Sequence, residues 1–156
     1  MGQSTPLRVT LSVVGKFHTF DLAQELDQRG HLTAIFSGYP RFKLRDNTLP
    51  PGKVHTFPWL RVPYMLLSQS GALSHGQQGL LDFLCYSTLD RYTAWQLPPC
   101  DVFVGLSSSS LQSGRRAKAM GARYVCDRGS THIRHQDTIL AEEHARWKQP
   151  YRHIDP

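Results

Sequence analysis

The chain reads as an α/β fold, a parallel sheet with helices on both faces, and three observations predict it. Short runs rich in β-branched residues alternate with longer helical stretches, glycines mark the changes from helix to strand, and polar clusters follow the strands. With 156 residues, 40% of them hydrophobic, the chain is long enough for one domain with a real core and too short for two.

Residues 7–14 alternate apolar and polar side chains, are rich in β-branched types and stop at Gly15, which predicts a strand ending in a tight turn. A helix follows over 18–29, where Phe20, Leu22, Ala23 and Leu26 recur at helical spacing before Gly30 ends it. Residues 32–36 form the second strand. From 37 to 51 the text turns to Gly38, Tyr39-Pro40, basic residues and Pro50-Pro51, which is loop chemistry. Residues 53–57 give a short third strand. Two helical stretches, 60–70 and 77–95, are expected to be separated by the 71–79 segment, whose glycines Gly71, Gly76 and Gly79 oppose one long helix.

After Pro98-Pro99, residues 100–106 read as a buried strand, and four serines, Ser107, Ser108, Ser109 and Ser110, follow it. A helix over 111–120 ends at Gly121, residues 122–126 make another strand, and a helix over 133–148 sets Ile133, Gln136 or Asp137, Leu140 and Ala141 on one face. There is no internal repeat.

Eighteen Lys and Arg against 12 Asp and Glu leave a net charge of +6 with histidines neutral, a balance that favours an anionic partner such as a phosphate-bearing substrate or an acidic membrane surface. Apart from Arg115, Arg116 and Lys118 the basic residues are scattered, so no nucleic-acid stripe is visible and no nucleic-acid partner is expected. Cys85, Cys100 and Cys126 lie far apart without a C-x-x-C pair, which predicts three reduced thiols and no structural zinc. Residues 1–6 lack a basic stretch leading into an apolar core, and no segment approaches 18 uninterrupted apolar residues. A cytoplasmic chain is the expectation.

In parallel α/β sheets the ligand crevice lies beyond the carboxyl ends of the strands. Three segments are expected to meet there: the Gly15-Lys16-Phe17-His18 turn, the serines from Ser107 to Ser110, and the connection from Asp127 to His132. Nucleotide fingerprints are absent, because Gly15 stands without the other glycines of G-x-G-x-x-G and Gly15-Lys16 lacks the rest of a P-loop. The serine run has two readings. One serine caps the following helix, or the loop offers backbone N–H groups and hydroxyls, Ser107 and Ser108 first, to a phosphate or sugar oxygen.

Asp127 and Arg128 either pair internally or leave the Arg128 fork for a phosphate. Of eight histidines, His31, His55, His75, His144 and His153 read as ordinary surface or core residues, whereas His18 and His132 each open a helix on the expected ligand edge. His132 and His135 lie three apart with no third donor near in sequence, so no metal site is expected. No cofactor is called for. Glu142-Glu143, late in the last helix, reads as a solvated or helix-pairing face.

The segment Arg128-Gly129-Ser130-Thr131-His132-Ile133, followed by Gln136, Ile139-Leu140 and Glu142-Glu143, resembles the R-G-S-x-H-I-x-x-Q-x-x-I-L-x-E-E segment of a branch of the family 4 retaining glycosyltransferases. The Gly15 to His18 turn is similar to their first strand-to-helix loop. The two pieces frame nearly the whole chain, while the middle third matches only in general pattern.

The resemblance implies a Rossmann-like sheet corresponding to the N-terminal half of the GT-B fold, in which two such domains face a cleft. Residues 1–156 would then be a single, incomplete acceptor-side domain. The C-terminal donor-binding domain and its E-x7-E pattern are absent, since no two glutamates here stand eight positions apart. What the resemblance implies of function is transfer of a sugar from a nucleotide-sugar donor, shared with the missing domain, to a sugar or lipid-linked acceptor, with inactivity of this chain alone. It assigns the catalytic position to His132 beside the transferred sugar and a close backbone approach to Gly15; together with the residues read on the ligand edge, the candidate substrate-binding set is Gly15, Lys16, His18, Ser107, Ser108, Arg128 and Ser130. Peripheral contact with the inner membrane surface fits a lipid-phosphate acceptor. A non-catalytic carbohydrate- or phosphate-binding module and a partner-docking protein are the rival readings.

Overall fold

The computed structural model describes residues 5–44, 48–69 and 73–152. Five strands, β1 (Val9–Val13), β2 (Leu32–Ser37), β3 (Val54–Thr56), β4 (Val102–Leu106) and β5 (Arg123–Asp127), form one all-parallel sheet in the order β3-β2-β1-β4-β5. The helices are α1 (Thr19–Gln28), α2 (Arg61–Gln69), α3 (His75–Gln96), α4 (Leu111–Ala119) and α5 (Ile133–Arg146). This is the α/β, Rossmann-like architecture that the alternation of elements predicts.

Alternation of side chains across the sheet builds two cores. Leu11, Val13 and Ile35 pack against Phe20 and Ala23 of α1 on one face, while Ala34, Phe36 and Phe103 pack against Ala117 of α4 and Leu97 on the other. β1 is buried along its whole length, Thr10 and Ser12 included, as a central parallel strand covered on both faces must be. The polar positions are small, and Ser12 finds the Thr93 hydroxyl at 3.5 Å.

β4 departs in the other direction. Phe103 and Gly105 are buried, but Val102, Val104 and Leu106, on the α1 side, are only half-buried. Ser107 ends the strand as expected.

Gly30 and Gly121 end α1 and α4 with φ of +73° and +85°, backbone that only glycine takes without strain. The expected 37–51 loop contains one 3-10 turn, Arg41–Leu44, and leads into a second, Pro51–Lys53, whose prolines suit tight turns. The helical middle third needs a sharper correction. Gly71 and the Ser70 end of the first stretch lie outside the described residues, as do His153 and the last three residues. Gly76 and Gly79 lie inside α3, not in a break, because Ser74 starts the helix with a capping box: its Oγ accepts from Gln77 N, and Gln77 Oε1 accepts from Ser74 N at 2.9 Å. That reciprocal pair and the packing of the 22-residue helix on α4 offset the roughly 1 kcal/mol that each helical glycine costs.

α5 is the least embedded helix. It has no buried residue, and Ile133, Gln136, Asp137, Leu140 and Ala141 form a half-buried stripe on the face that the sequence marks. At the opposite end of the sheet from the site, Arg8 clamps Asp101 through its backbone N–H and its guanidinium, both at 2.8 Å. The Arg8 hydrogen bonds hold the Asp101 carboxyl down at about 2.

Candidate functional site

The chain runs outward from β1 to β2 to β3 and then returns through α2 and α3 to place β4 beside β1. This reversal makes the gap between the carboxyl ends of β1 and β4 the switch point of the sheet, where α/β folds hold ligands. Three loops border it: 14–18 after β1, 107–110 after β4 and 128–132 after β5. The placement follows from strand order, which no single element specifies.

One contact joins the first loop to the end of β5. His18 Nε2 lies 2.9 Å from Asp127 Oδ2, across 109 residues of sequence, with the histidine largely exposed and the aspartate mostly covered. A carboxylate oxygen accepts, so Nε2 carries the shared proton, and in the neutral ring Nδ1 is then an acceptor. The internal Asp127–Arg128 pair that the sequence allowed is not formed. Asp127 pairs with His18 and not with Arg128, whose Nε instead donates to the Thr131 carbonyl at 2.6 Å.

The 128–132 loop is tied within itself and to the start of α5. Besides the Arg128 bond, Ser130 Oγ donates toward Gln136 Oε1 at 3.3 Å, and His132, the N-cap of α5, accepts from Arg134 N through Nδ1 at 3.4 Å. The spacing that sets Gln136 six residues after Ser130 therefore has a local structural use. The cap also sets the His132 tautomer: Nδ1 accepts, so the neutral ring carries its proton on Nε2. Arg128 and His132 are exposed, and the terminal nitrogens of Arg128 bond to no described residue.

On the other side of the switch point, Gly15 is buried and Lys16 is exposed. A Cβ at Gly15 would meet Phe17 at 3.0 Å and Tyr39 at 3.2 Å, so the room left by the missing side chain is filled by those two rings. Gly38 is as constrained: a Cβ there would lie 2.7 Å from the Val14 carbonyl oxygen. The two glycines let the ends of β1 and β2 close against each other.

The serine loop corrects the capping expectation. Ser110 stands at the N-cap of α4 but makes no side-chain cap bond. Asp90 of α3 does that work, with Oδ2 accepting from Gln112 N at 2.7 Å and Oδ1 from Ser113 N at 2.9 Å and Ser113 Oγ at 2.5 Å. Asp90 is only 5% exposed, and a buried carboxylate is stable there because it meets three donors and the positive end of the helix dipole. These two α4 N–H groups are consequently not open to a phosphate. Ser110 instead lies against Gly105, which has no side chain to collide with its Cβ and Oγ. Ser109 folds back on the Leu106 carbonyl, and Ser108 is exposed with φ at +70°, a left-handed conformation that turns the loop outward.

A cavity of about 220 Å³ lies between this loop and α3, lined by Tyr86, Ser87, Asp90, Arg91, Ser108 and Ser109, among others. It mixes hydroxyls, a carboxylate and a guanidinium, the chemistry that suits a hydroxylated or anionic ligand. Sequence reasoning missed Asp90. Its signal is the α3 stripe of Cys85, Leu89 and Thr93, all buried, on which an aspartate must find a partner. Among the described residues no group of three His, Cys, Asp or Glu side chains could hold a metal ion, and no helix is long and apolar enough to cross a membrane.

Compared with known proteins, the chain matches no family model, and neither a curated protein nor a solved structure is found similar to it.

Proposed function

We propose that this chain is the acceptor-side, Rossmann-like half of a retaining glycosyltransferase of the GT-B kind, transferring a sugar from a nucleotide-sugar donor when a donor-binding domain faces its cleft. The observation that supports the reading is the His18–Asp127 bond, which ties the Gly15 to His18 turn to the end of β5, where the RGSTHI segment begins. Both stretches that resemble family 4 enzymes thus lie at the carboxyl edge of the sheet.

Each side chain then has a chemical task. His18 accepts an acceptor hydroxyl through Nδ1 while Asp127 orients its ring. His132 donates Nε2–H to a hydroxyl of the transferred sugar, its ring fixed by the α5 cap. Arg128, braced through Nε, offers its terminal nitrogens to the departing diphosphate, whose developing charge is the main electrostatic load of such a transfer. Ser108 and Lys16 are exposed on the flanking loops and serve the acceptor. An anionic lipid acceptor at a membrane surface fits the net charge of +6.

Calorimetric titration with UDP, GDP and their sugars, on the chain alone and on the chain joined to a donor-binding domain, tests the reading. Binding and transfer by the joined form only are expected. In that form His132→Ala should lower kcat by about 10²-fold or more, the typical loss when one aligned transition-state donor is removed. Undiminished transfer would remove His132 from the mechanism.

The polar cavity beside Asp90 favours a second reading, a self-contained carbohydrate- or phosphate-binding module. Tight binding by the short chain alone, lost in Ser108→Trp and retained in His132→Ala, would select that module over the two-domain account.

A further inference from the structure

The two edges of the sheet are managed differently. At the β3 edge, the Arg41 guanidinium donates to the Val54 carbonyl at 3.0 Å and to that of Pro51 at 3.4 Å, occupying groups that another strand would need. Among the described residues the β5 edge has no such guard. Arg123 N donates to Asp101 O and Asp127 O accepts from Ser107 N, so Arg123, Val125 and Asp127 turn their backbone groups toward β4. The two-residue period of a strand then directs the N–H and C=O of Tyr124 and Cys126 outward, where no described residue bonds them.

The side chains on this edge are open as well. Arg123 and Cys126 are exposed, and Val125 is 48% exposed. β5 contains no proline, lysine or bulge of the kind that protects exposed strands. The sequence of the strand, Arg123-Tyr124-Val125-Cys126-Asp127, is self-complementary in charge about its centre. When such a strand meets itself in the opposite direction, the cation at one end faces the anion at the other.

We propose that β5 is a dimerisation edge, pairing antiparallel with β5 of a second copy of this chain about a two-fold axis through Val125. The backbone geometry fits that register. Tyr124 of each copy faces Cys126 of the other, and because both point their backbone groups outward, each such pair exchanges two N–H···O bonds. Val125 faces Val125 as the non-hydrogen-bonded pair, whose side chains approach most closely and cover each other's exposed apolar surface. Arg123 faces Asp127 twice. Since Asp127 also accepts from His18, the second copy's Arg123 adds a cation beside the candidate site, and the two sheets join into one.

Sedimentation equilibrium on the purified chain tests this, with the average mass expected to rise with concentration from 17.7 kDa toward twice that value. Arg123→Asp sets like charges opposite each other and should weaken association about tenfold, while Arg123→Asp with Asp127→Arg should restore it. Circular dichroism verifies that each variant folds. Val125→Cys in a Cys126→Ser background should form an intermolecular disulfide under air, read as a dimer on a non-reducing gel. A monomer at every concentration overturns the proposal. So does a dimer that the Val125→Cys variant fails to cross-link, because a different face would then be buried.

Discussion

Replacing Asp90 by alanine is expected to destabilise the chain by about 2–4 kcal/mol. The substitution removes the acceptor of three hydrogen bonds and leaves the N–H groups of Gln112 and Ser113 and the Ser113 hydroxyl without it. Loss of an N-terminal cap alone costs about 0.5–2 kcal/mol, and each buried donor left unsatisfied costs about 1–3 kcal/mol. Ser113 is fully buried, so its groups bear that cost, whereas Asp90 and Gln112 line the adjacent cavity of about 220 Å³, and water entering there returns part of the loss at Gln112. For a domain of this size each kcal/mol corresponds to about 2–4 °C in Tm, which sets the expected drop near 10 °C. Asp90→Asn, whose oxygen keeps one bond but whose amide nitrogen faces a donor, should fall between the two. Urea unfolding followed by circular dichroism measures both variants, with the slope against denaturant unchanged. An Asp90→Ala variant within about 0.5 kcal/mol of the parent would refute the assignment of Asp90 as the cap that holds α3 to α4.

Gly105→Ala should destabilise by about 1–3 kcal/mol through overlap with Ser110, and adding Ser110→Gly, which removes the Cβ as well as the hydroxyl, should recover most of it in the same unfolding assay. His55 stacks on Phe36 at 4.9 Å, and burial, aided by the Arg41 charge, lowers its pKa below 6.5. The folded state therefore binds the His55 proton more weakly than the unfolded chain, so this contribution is complete above pH 6.5 and is lost as pH falls through that value toward the folded pKa. Thermal melts of His55→Phe between pH 7.5 and 5, keeping a ring on Phe36, should show a smaller acid-side decline in Tm than the parent; equal declines would exclude His55 as a source.

Some features were legible because their causes are local. The strands, the α1 and α4 stops at Gly30 and Gly121, and the half-buried face of α5 follow from side-chain period and from backbone conformations that glycine alone takes freely. The helical middle third was harder, because Gly76 and Gly79 carry a local preference against helix that the Ser74–Gln77 box and the contact with α4 overcome. Loop positions on the ligand edge were also readable, since strand-then-helix alternation fixes which end of each strand a connection leaves.

By itself the sequence determined a parallel α/β sheet, the order of its elements and three polar connections facing one edge. Packing in three dimensions set β4 beside β1, brought His18 to Asp127 across 109 residues and made Asp90, not a serine, the cap of α4. A carboxylate or an imidazole carries no local signal of its partner. Its hydrogen-bonding demand is met by whichever donor the packing brings within 3 Å, and strand order, set by burial on both faces of the sheet, makes that choice.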